Sequence, residues 1–295
     1  MSRGPSVVIL ALLAAFTGAC GGLENAEPTD PVERPKSIDI DHPDRPDELV
    51  VRVTVGGGFV PAEYNLTELP MFSLYGDGTI IAPGPQIAIF PAPALPNLQS
   101  RRIAEEGIQS ILKGALEAGL QGPDRKLTND RITDAPTTEF TVITEGRTHT
   151  ASAYALGVDA GPEEDDGDRE PEDRRALRQF LEELTSLDQW LPNDQISGEM
   201  PFEPEGLRIF TKQSVSEQLE PGLEQPELDW PVSADLAEFG EPYGSIGYRC
   251  GVVEGQDLQR ILDAAQRANQ LTPWVSGGQT FRVLFRPLLP DETGC

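Results

Sequence analysis

The sequence predicts an α+β fold in which antiparallel sheets are packed against amphipathic helices. Runs of β-branched and aromatic residues are separated by tight-turn signals, which is typical of antiparallel strands. Three longer segments instead place apolar residues three and four positions apart, the spacing of a helix with one buried face. Since these patterns follow one another through short connections, we expect helices to cover one face of each sheet.

Six strands and two helices are predicted in the first half of the chain. The strands lie at residues 49–55, 71–75, 79–81, 86–90, 138–143 and 148–156, and the helices at 102–119 and 173–187. The second and third strands flank Asp77-Gly78, a pair that supplies the positive φ angles of a tight hairpin turn. Gly56-Gly57-Gly58 ends the first strand and is interpreted as a turn, because it lacks the spacing and the lysine of a phosphate-binding loop.

The second half of the chain shows a similar order of elements. Strands are predicted at 207–210, 248–253 and 280–289, and a helix at 255–270. The helical pattern at 108–118 matches that at 258–268, and a hairpin follows each helix. The halves are therefore either two related modules or independent segments in which amphipathic periodicity alone produces the match.

The charge balance is strongly acidic, with 49 Asp and Glu residues against 23 Lys and Arg, for a formal net charge of −26. Nucleic acid is excluded as a partner, because binding a polyanion requires clustered Lys and Arg that displace its counterions. Part of the acidity lies in residues 159–173, which we interpret as a flexible acidic loop. These residues do not follow the EF-hand pattern, and calcium binding there is the alternative interpretation.

The first twenty residues have the parts of an export signal. Arg3 is the only charged residue before Cys20, and the apolar run 7–16 follows it. Such a run fits the hydrophobic region of a signal peptide and is too short to span a bilayer. The small residues Thr17-Gly18-Ala19 then precede Cys20 and Gly21. This segment resembles the lipobox of bacterial lipoproteins.

The lipobox resemblance implies that residues 1–19 are removed and that Cys20 is lipidated. Acyl chains on one cysteine would anchor the protein on the extracytoplasmic face of the bacterial cell membrane. Residues 20–46 carry this cysteine and predict a disordered acidic tether, because they are rich in proline and charge. The folded part is then expected to comprise one module at 47–190 and a second at 191–295. A plain secretory signal with an incidental cysteine is the alternative.

The two remaining cysteines, Cys250 and Cys295, are expected to form a disulfide, because exported proteins fold in an oxidising compartment. Two free thiols are the alternative. We expect no metal site and no cofactor, since these thiols lack neighbouring histidines and neither His-Glu-x-x-His nor Cys-x-x-Cys occurs in the sequence.

Catalytic signatures are missing from the sequence. The chain has two histidines: His42 falls in the predicted tether and His149 in a predicted strand. No Gly-x-Ser-x-Gly elbow accompanies His149, so we expect it to be a surface residue. A binding or envelope-interaction role, with a small molecule or a protein as partner, is therefore expected. The alternative is an extracellular hydrolase with His149 or a pair of carboxylates as the base.

Two groups of apolar residues near turns are candidates for lining a binding cleft or a partner surface. The first is a proline-rich loop containing Phe90, Pro91, Pro93, Leu95 and Pro96. The second is a set of aromatic residues comprising Trp230, Phe239, Tyr243 and Trp274. Closing a hydrophobic core beneath long loops is the alternative role for both groups.

Overall fold

Two β-sheets and four α-helices form the part of the chain that the computed structural model describes, which comprises residues 39–158, 171–214 and 222–295. This content confirms the predicted α+β class. The helices are α1 (Glu105–Glu117), α2 (Glu172–Thr185), α3 (Leu187–Trp190) and α4 (Gly255–Ala265). Within these described ranges, no helix combines the length and the apolar content required to cross a membrane.

The first sheet contains eight strands. They are β1 (Leu49–Gly56), β2 (Phe72–Tyr75), β3 (Thr79–Pro83), β4 (Leu98–Arg102), β5 (Arg125–Leu127), β6 (Thr137–Thr144), β7 (Arg147–Tyr154) and β8 (Met200–Pro201). Their order across the sheet is β5-β7-β6-β1-β2-β3-β4-β8. The pair β5 and β7 is parallel and the others are antiparallel, so the sheet is mixed rather than fully antiparallel as predicted.

The second sheet contains six strands. They are β9 (Gly206–Gln213), β10 (Leu228–Asp229), β11 (Glu241–Tyr243), β12 (Tyr248–Glu254), β13 (Trp274–Ser276) and β14 (Gln279–Pro287). Their order is β10-β13-β14-β9-β12-β11, and β10 pairs with β13 in parallel. The long strands β9, β12 and β14 form its antiparallel centre.

Side-chain alternation gives each sheet one apolar face. In β1, Val51 and Val53 are fully buried and belong to the hydrophobic cluster that also contains the apolar residues of α1 and α2. In β9, Leu207 and Ile209 belong to a second cluster, which contains the buried residues of α4. Since successive residues of a strand point to opposite faces, Arg52 in β1 and Arg208 in β9 lie on the other faces. We call these the cleft faces.

The segment from residue 84 to residue 104 differs from the prediction. Residues 86–90 form no strand, and the predicted helix start at residue 102 is wrong, because Arg102 is the last residue of β4, which pairs with β3. Pro85 and Pro91 flank the missing strand and have no N–H groups to donate to a neighbouring strand. Helix α1 instead begins at Glu105, with two glutamates in its first turn where the helix dipole favours negative charge.

The end of the predicted tether also differs from the prediction, because residues 39–46 pack on the folded part. The backbone of Ile40 exchanges two hydrogen bonds with the side-chain amide of Gln109 in α1, at 2.8 and 3.0 Å. The backbone N–H of Glu145 donates to the carbonyl of Asp41, and His42 Nε2 lies 3.1 Å from Glu105 Oε1. His42 is therefore part of the folded structure.

The helix-and-hairpin order shared by the two halves does not extend to the order of their strands. After α1, the hairpin β6–β7 joins its sheet through its first strand, which lies beside β1. After α4, the hairpin β13–β14 joins through its second strand, which lies beside β9. The short strand β8 also pairs with β4, so the first sheet extends beyond the predicted module boundary at residue 190.

Candidate functional site

A cavity of about 480 Å³ lies between residues from the cleft faces of the two sheets. Its charged lining consists of Arg52, Arg208, Arg286, Glu68, Glu139 and Glu292. Apolar groups from Leu66, Leu69, Pro70 and Phe210 form another part of its wall. We name this cavity the arginine cleft. A smaller cavity, of about 340 Å³ beside β5 and β7, has Lys126 as the only basic residue in its described lining.

Arg52 enters the arginine cleft from the centre of β1. Its Nη1 and Nη2 donate to the two carboxylate oxygens of Asp291, at 2.9 and 2.7 Å. Its Nη2 also donates to the hydroxyl of Tyr75 and its Nε to the hydroxyl of Ser73. The guanidinium is therefore held in one orientation by a bidentate pair with a carboxylate, which is stronger than a single hydrogen bond between neutral groups.

Arg286 enters the cleft from β14, and its side chain is 8% exposed. Its Nη1 and Nη2 donate to the two oxygens of Glu292 at 2.6 and 2.7 Å, and its Nε donates to the backbone carbonyl of Glu68 at 2.9 Å. Burial alone would raise the pKa of Glu292, but hydrogen bonds from Arg286 and from the Leu289 backbone N–H outweigh it and lower that pKa. Glu292 is accordingly held as a carboxylate.

Arg208 in β9 differs from the other two arginines of the cleft. Its Nε donates to the backbone carbonyl of Gly294 at 2.8 Å, but among the described residues it forms no ion pair with a carboxylate. Burial, together with the positive charge of Arg286, lowers its pKa from the usual arginine value. Arg208 is thus a partly buried cation whose Nη donors remain available to a ligand.

All three arginines contact the same stretch of chain, residues 288–295, which we call the C-terminal segment. Asp291 binds Arg52, Glu292 binds Arg286 and Gly294 binds Arg208. The next residue, Cys295, forms a disulfide with Cys250 of β12, as predicted. The disulfide therefore fixes the segment that orients the cleft.

The carboxyl group of Glu68 also lines the cleft, but among the described residues it is not part of an arginine–carboxylate pair like those of Asp291 and Glu292. A Cβ at Gly56 would overlap its carboxyl oxygens, so the close approach of Glu68 to β1 requires a residue without a side chain. Burial raises the pKa of Glu68, and the positive charge of Arg286 opposes this rise. The glycine run at 56–58 therefore ends a strand, as predicted, and also makes room for a cleft residue.

The other predicted site residues lie elsewhere. His149 is in β7, where its Nδ1 lies 3.0 Å from the carbonyl oxygen of Gly122, and it does not line the arginine cleft. Cys20 and the acidic residues 159–170 fall outside the described residues. Within the described ranges, no group of three or more His, Cys, Asp or Glu side chains is arranged to hold a metal ion.

The aromatic candidates separate into core and cleft residues. Trp230 and Trp274 belong to the cluster beneath α4 and meet edge to face, with ring centroids 5.6 Å apart, and Phe239 packs against Trp230. Tyr243 instead lines the arginine cleft and packs against Phe210, at 5.2 Å between centroids. In the proline-rich loop, the ring of Phe90 is exposed.

The three cleft arginines were not identified from the sequence. Each lies in a strand with an apolar residue immediately before it, as in Val51-Arg52-Val53, Leu207-Arg208-Ile209 and Phe285-Arg286-Pro287. An arginine between two apolar residues of a strand is the signal that could have indicated them. The sequence does not show that the three positions converge.

Comparisons with protein-family models, with curated proteins and with solved structures found no match to this chain. The arginine cleft is therefore assigned on its own geometry. Its described lining contains no histidine, cysteine or serine, whereas guanidinium, carboxyl and hydroxyl groups stand beside an apolar wall. This combination suits the binding of a small polar ligand with an apolar part.

Proposed function

We propose that this protein is a lipid-anchored extracytoplasmic protein that binds a small ligand in the arginine cleft. The observation that carries the binding role is Arg208, a partly buried cation without a carboxylate partner among the described residues, in a cavity of about 480 Å³. Pockets of roughly 300–1,000 Å³ with a few convergent polar groups are typical of small-molecule sites.

The anchoring part of the proposal rests on the lipobox-like segment at Thr17–Cys20. The described part of the chain begins at Asp39. If the residues between Cys20 and Asp39 were fully extended, they would reach about 60 Å at most. That length would allow an acidic domain to stand away from anionic headgroups, which repel it.

A hydrolase that uses two carboxylates is the second candidate function. One observation favours it: the pKa of Glu68 is raised and that of Glu292 is lowered in the same cleft, as expected of an acid and a base. However, Glu292 uses both oxygens to bind Arg286, which leaves it poorly placed to attack or to accept a proton. A hydrolase that uses His149 as its base lacks support, because this residue is outside the cleft.

At a finer level, we propose that each sheet and its helices form one module of the protein. Buried residues of α1 and α2 cluster with the first sheet, and those of α4 cluster with the second. The different strand orders favour two independent modules over a duplicated one. In this organisation the ligand would bind between the modules.

The binding role is tested by blocking the rim of the cleft. Asn65, in the short 3-10 helix Tyr64–Leu66, is exposed and lines the cleft, whereas its neighbour Tyr64 is exposed and does not. We expect Asn65→Trp to reduce ligand binding strongly and Tyr64→Trp to leave it unchanged. Thermal unfolding of the full chain carrying Cys20→Ala, with a panel of neutral, cationic and anionic small molecules, measures the effect.

A ligand from any of the three classes should raise the unfolding temperature of the parent protein and of Tyr64→Trp, but not that of Asn65→Trp. The binding role is rejected if no class of small molecule stabilises the parent protein. It is also rejected if stabilising ligands act equally on both tryptophan variants.

A further inference from the structure

We infer that the ligand of the arginine cleft is a small monocarboxylate with an apolar body, and that Arg208 binds its carboxylate. This inference rests on the proposed binding role and specifies the class of ligand. Four features of the cleft support it: the fixed orientation of Arg208, the way in which its neighbours are paired, the charge of its surroundings, and the apolar wall beside it.

The Arg208 guanidinium is held by a hydrogen bond at its Nε atom, while its Nη atoms have no partner among the described residues. Its Nε donates to the carbonyl of Gly294 at 2.8 Å, and this carbonyl lies next to the disulfide-bonded Cys295. Because the guanidinium is planar, fixing Nε fixes the direction of the Nη donors as well. A carboxylate accepts two parallel hydrogen bonds from such a planar group, which gives both strength and orientation.

The two neighbouring arginines show that the cleft accommodates carboxylates. Arg52 binds both oxygens of Asp291, and Arg286 binds both oxygens of Glu292. Those carboxylates come from the C-terminal segment of the protein itself. Arg208 receives only a backbone carbonyl from the same segment, so a carboxylate from a ligand would complete a row of three arginine–carboxylate pairs.

The charge of the surroundings favours a single negative charge on the ligand. Burial and the positive charge of Arg286 disfavour the charged form of Arg208 more than Glu292 favours it, so a bound anion would compensate this cost. Glu68, Glu139 and Glu292 also line the cavity, and the whole chain has a formal charge of −26. A dianion such as a phosphate monoester would therefore meet more repulsion than a carboxylate.

An apolar body would contact the wall beside Arg208. Phe210 follows two residues later on the same face of β9, and its ring packs against Tyr243. Leu66 belongs to the same hydrophobic cluster, and Leu69 and Pro70 extend the lining. Burying apolar surface there adds binding free energy of roughly 25 cal/mol per Å².

The test uses probes that share one body and differ in their head group. Hexanoate, hexanol and hexyl phosphate, together with benzoate as a second carboxylate, are titrated at millimolar concentration into the full chain carrying Cys20→Ala. Isothermal calorimetry and thermal unfolding measure binding. We expect both carboxylates to bind, hexyl phosphate to bind more weakly than hexanoate, and hexanol to have no effect.

The matched variants are Arg208→Gln and Lys212→Gln. Both positions lie on the same face of β9, but Lys212 places its ammonium over the ring of Tyr248 and does not line the cleft. We expect Arg208→Gln to weaken carboxylate binding by about tenfold or more, because charged hydrogen bonds are lost, and Lys212→Gln to leave it unchanged. Arg208→Lys should restore only part of the affinity, since lysine keeps the positive charge but lacks the planar pair of donors.

The outcomes separate this inference from the proposed binding role. Equal binding of hexanol and hexanoate, tighter binding of hexyl phosphate, or unchanged carboxylate binding by a folded Arg208→Gln variant each overturns the inference. If neither carboxylate binds while another member of the broader panel does so at the rim defined by Asn65, the carboxylate assignment fails and the binding role stands. If Asn65→Trp and Tyr64→Trp respond alike, the binding role itself fails.

Discussion

Two glutamates in the arginine cleft have pKa values displaced in opposite directions. Glu292 receives two hydrogen bonds from Arg286 and one from the Leu289 backbone N–H, and these lower its pKa although burial acts the other way. Glu68 is partly buried without such donors, and burial raises its pKa against the attraction of Arg286. Hydrogen bonding therefore decides the sign of the shift within one cavity.

The pair formed by Glu292 and Arg286 leads to a prediction about stability and pH. Because the folded state lowers the pKa of Glu292, its contribution is complete above the ordinary glutamate pKa of about 4.3 and is lost as the pH falls through the lowered value. We expect Glu292→Gln to reduce the free energy of unfolding by about 3 kcal/mol at neutral pH, since Arg286 is left buried without its charge partner.

Urea unfolding at a series of pH values measures this effect. The difference between the parent protein and Glu292→Gln should shrink as the solution becomes more acidic. Glu238→Gln, at an exposed position outside the cleft, is the control and should leave the free energy of unfolding almost unchanged. A loss at Glu292 of the same size at every pH would contradict the explanation based on its pKa.

At the scale of elements, β11 shows how a short edge strand is fixed beside the disulfide. It lies between Gly240 and Gly244, whose φ angles are +60° and +61°. A Cβ at Gly240 would overlap the backbone carbonyl of Cys250, whereas a Cβ at Gly244 would meet open space. The two glycines share one backbone conformation and differ in their surroundings.

These two positions allow backbone strain to be separated from steric overlap. We expect Gly244→Ala to cost about 1 kcal/mol of unfolding free energy, because alanine disfavours a positive φ. Gly240→Ala should cost about 3 kcal/mol or more, since the strand bearing Cys250 must also move. Chemical denaturation of the two variants measures the difference, and equal losses would show that the backbone of Cys250 does not restrict this position.

Local elements were the part of the structure that the sequence predicted well. The turn at Asp77-Gly78 and the apolar faces of α1, α2 and α4 depend on neighbouring residues, so the sequence pattern contains the whole signal. Strand β4 was missed because its pattern, Leu-Gln-Ser-Arg-Arg, is mostly polar and is fixed by pairing with β3 rather than by its own composition. The parallel pairs β5–β7 and β10–β13 depend in the same way on partners far along the chain.

At the scale of the whole molecule, contacts between distant segments join the two sheets. Arg52 of the first sheet binds Asp291, which follows the last strand of the second sheet. The two residues are 239 positions apart in the sequence. Leu289 packs into a cluster with Tyr75, Ile81 and Leu98 of the first sheet. No local pattern reports such contacts, which is why the arginine cleft could not be predicted from the sequence although each of its arginines stands out.

The proposed lipid anchor also belongs to this scale, because it determines where the whole molecule is found. We expect Cys20→Ala to move the protein from the membrane fraction to the soluble fraction of cells, since the thiol is the proposed site of acylation. Cys295→Ser, which removes a different cysteine, is the control and should remain in the membrane fraction. Membrane retention of Cys20→Ala would refute the lipid anchor.

The C-terminal segment has a further consequence for the order in which the protein folds. Its contacts with Arg52 of β1 and Arg208 of β9 join residues 239 and 86 positions apart in the sequence, and closing such long loops is entropically costly and slow. The hairpins and helices of either sheet have mainly local contacts and need not wait for it. Ligand binding would therefore be gained later in refolding than the local hairpins and helices.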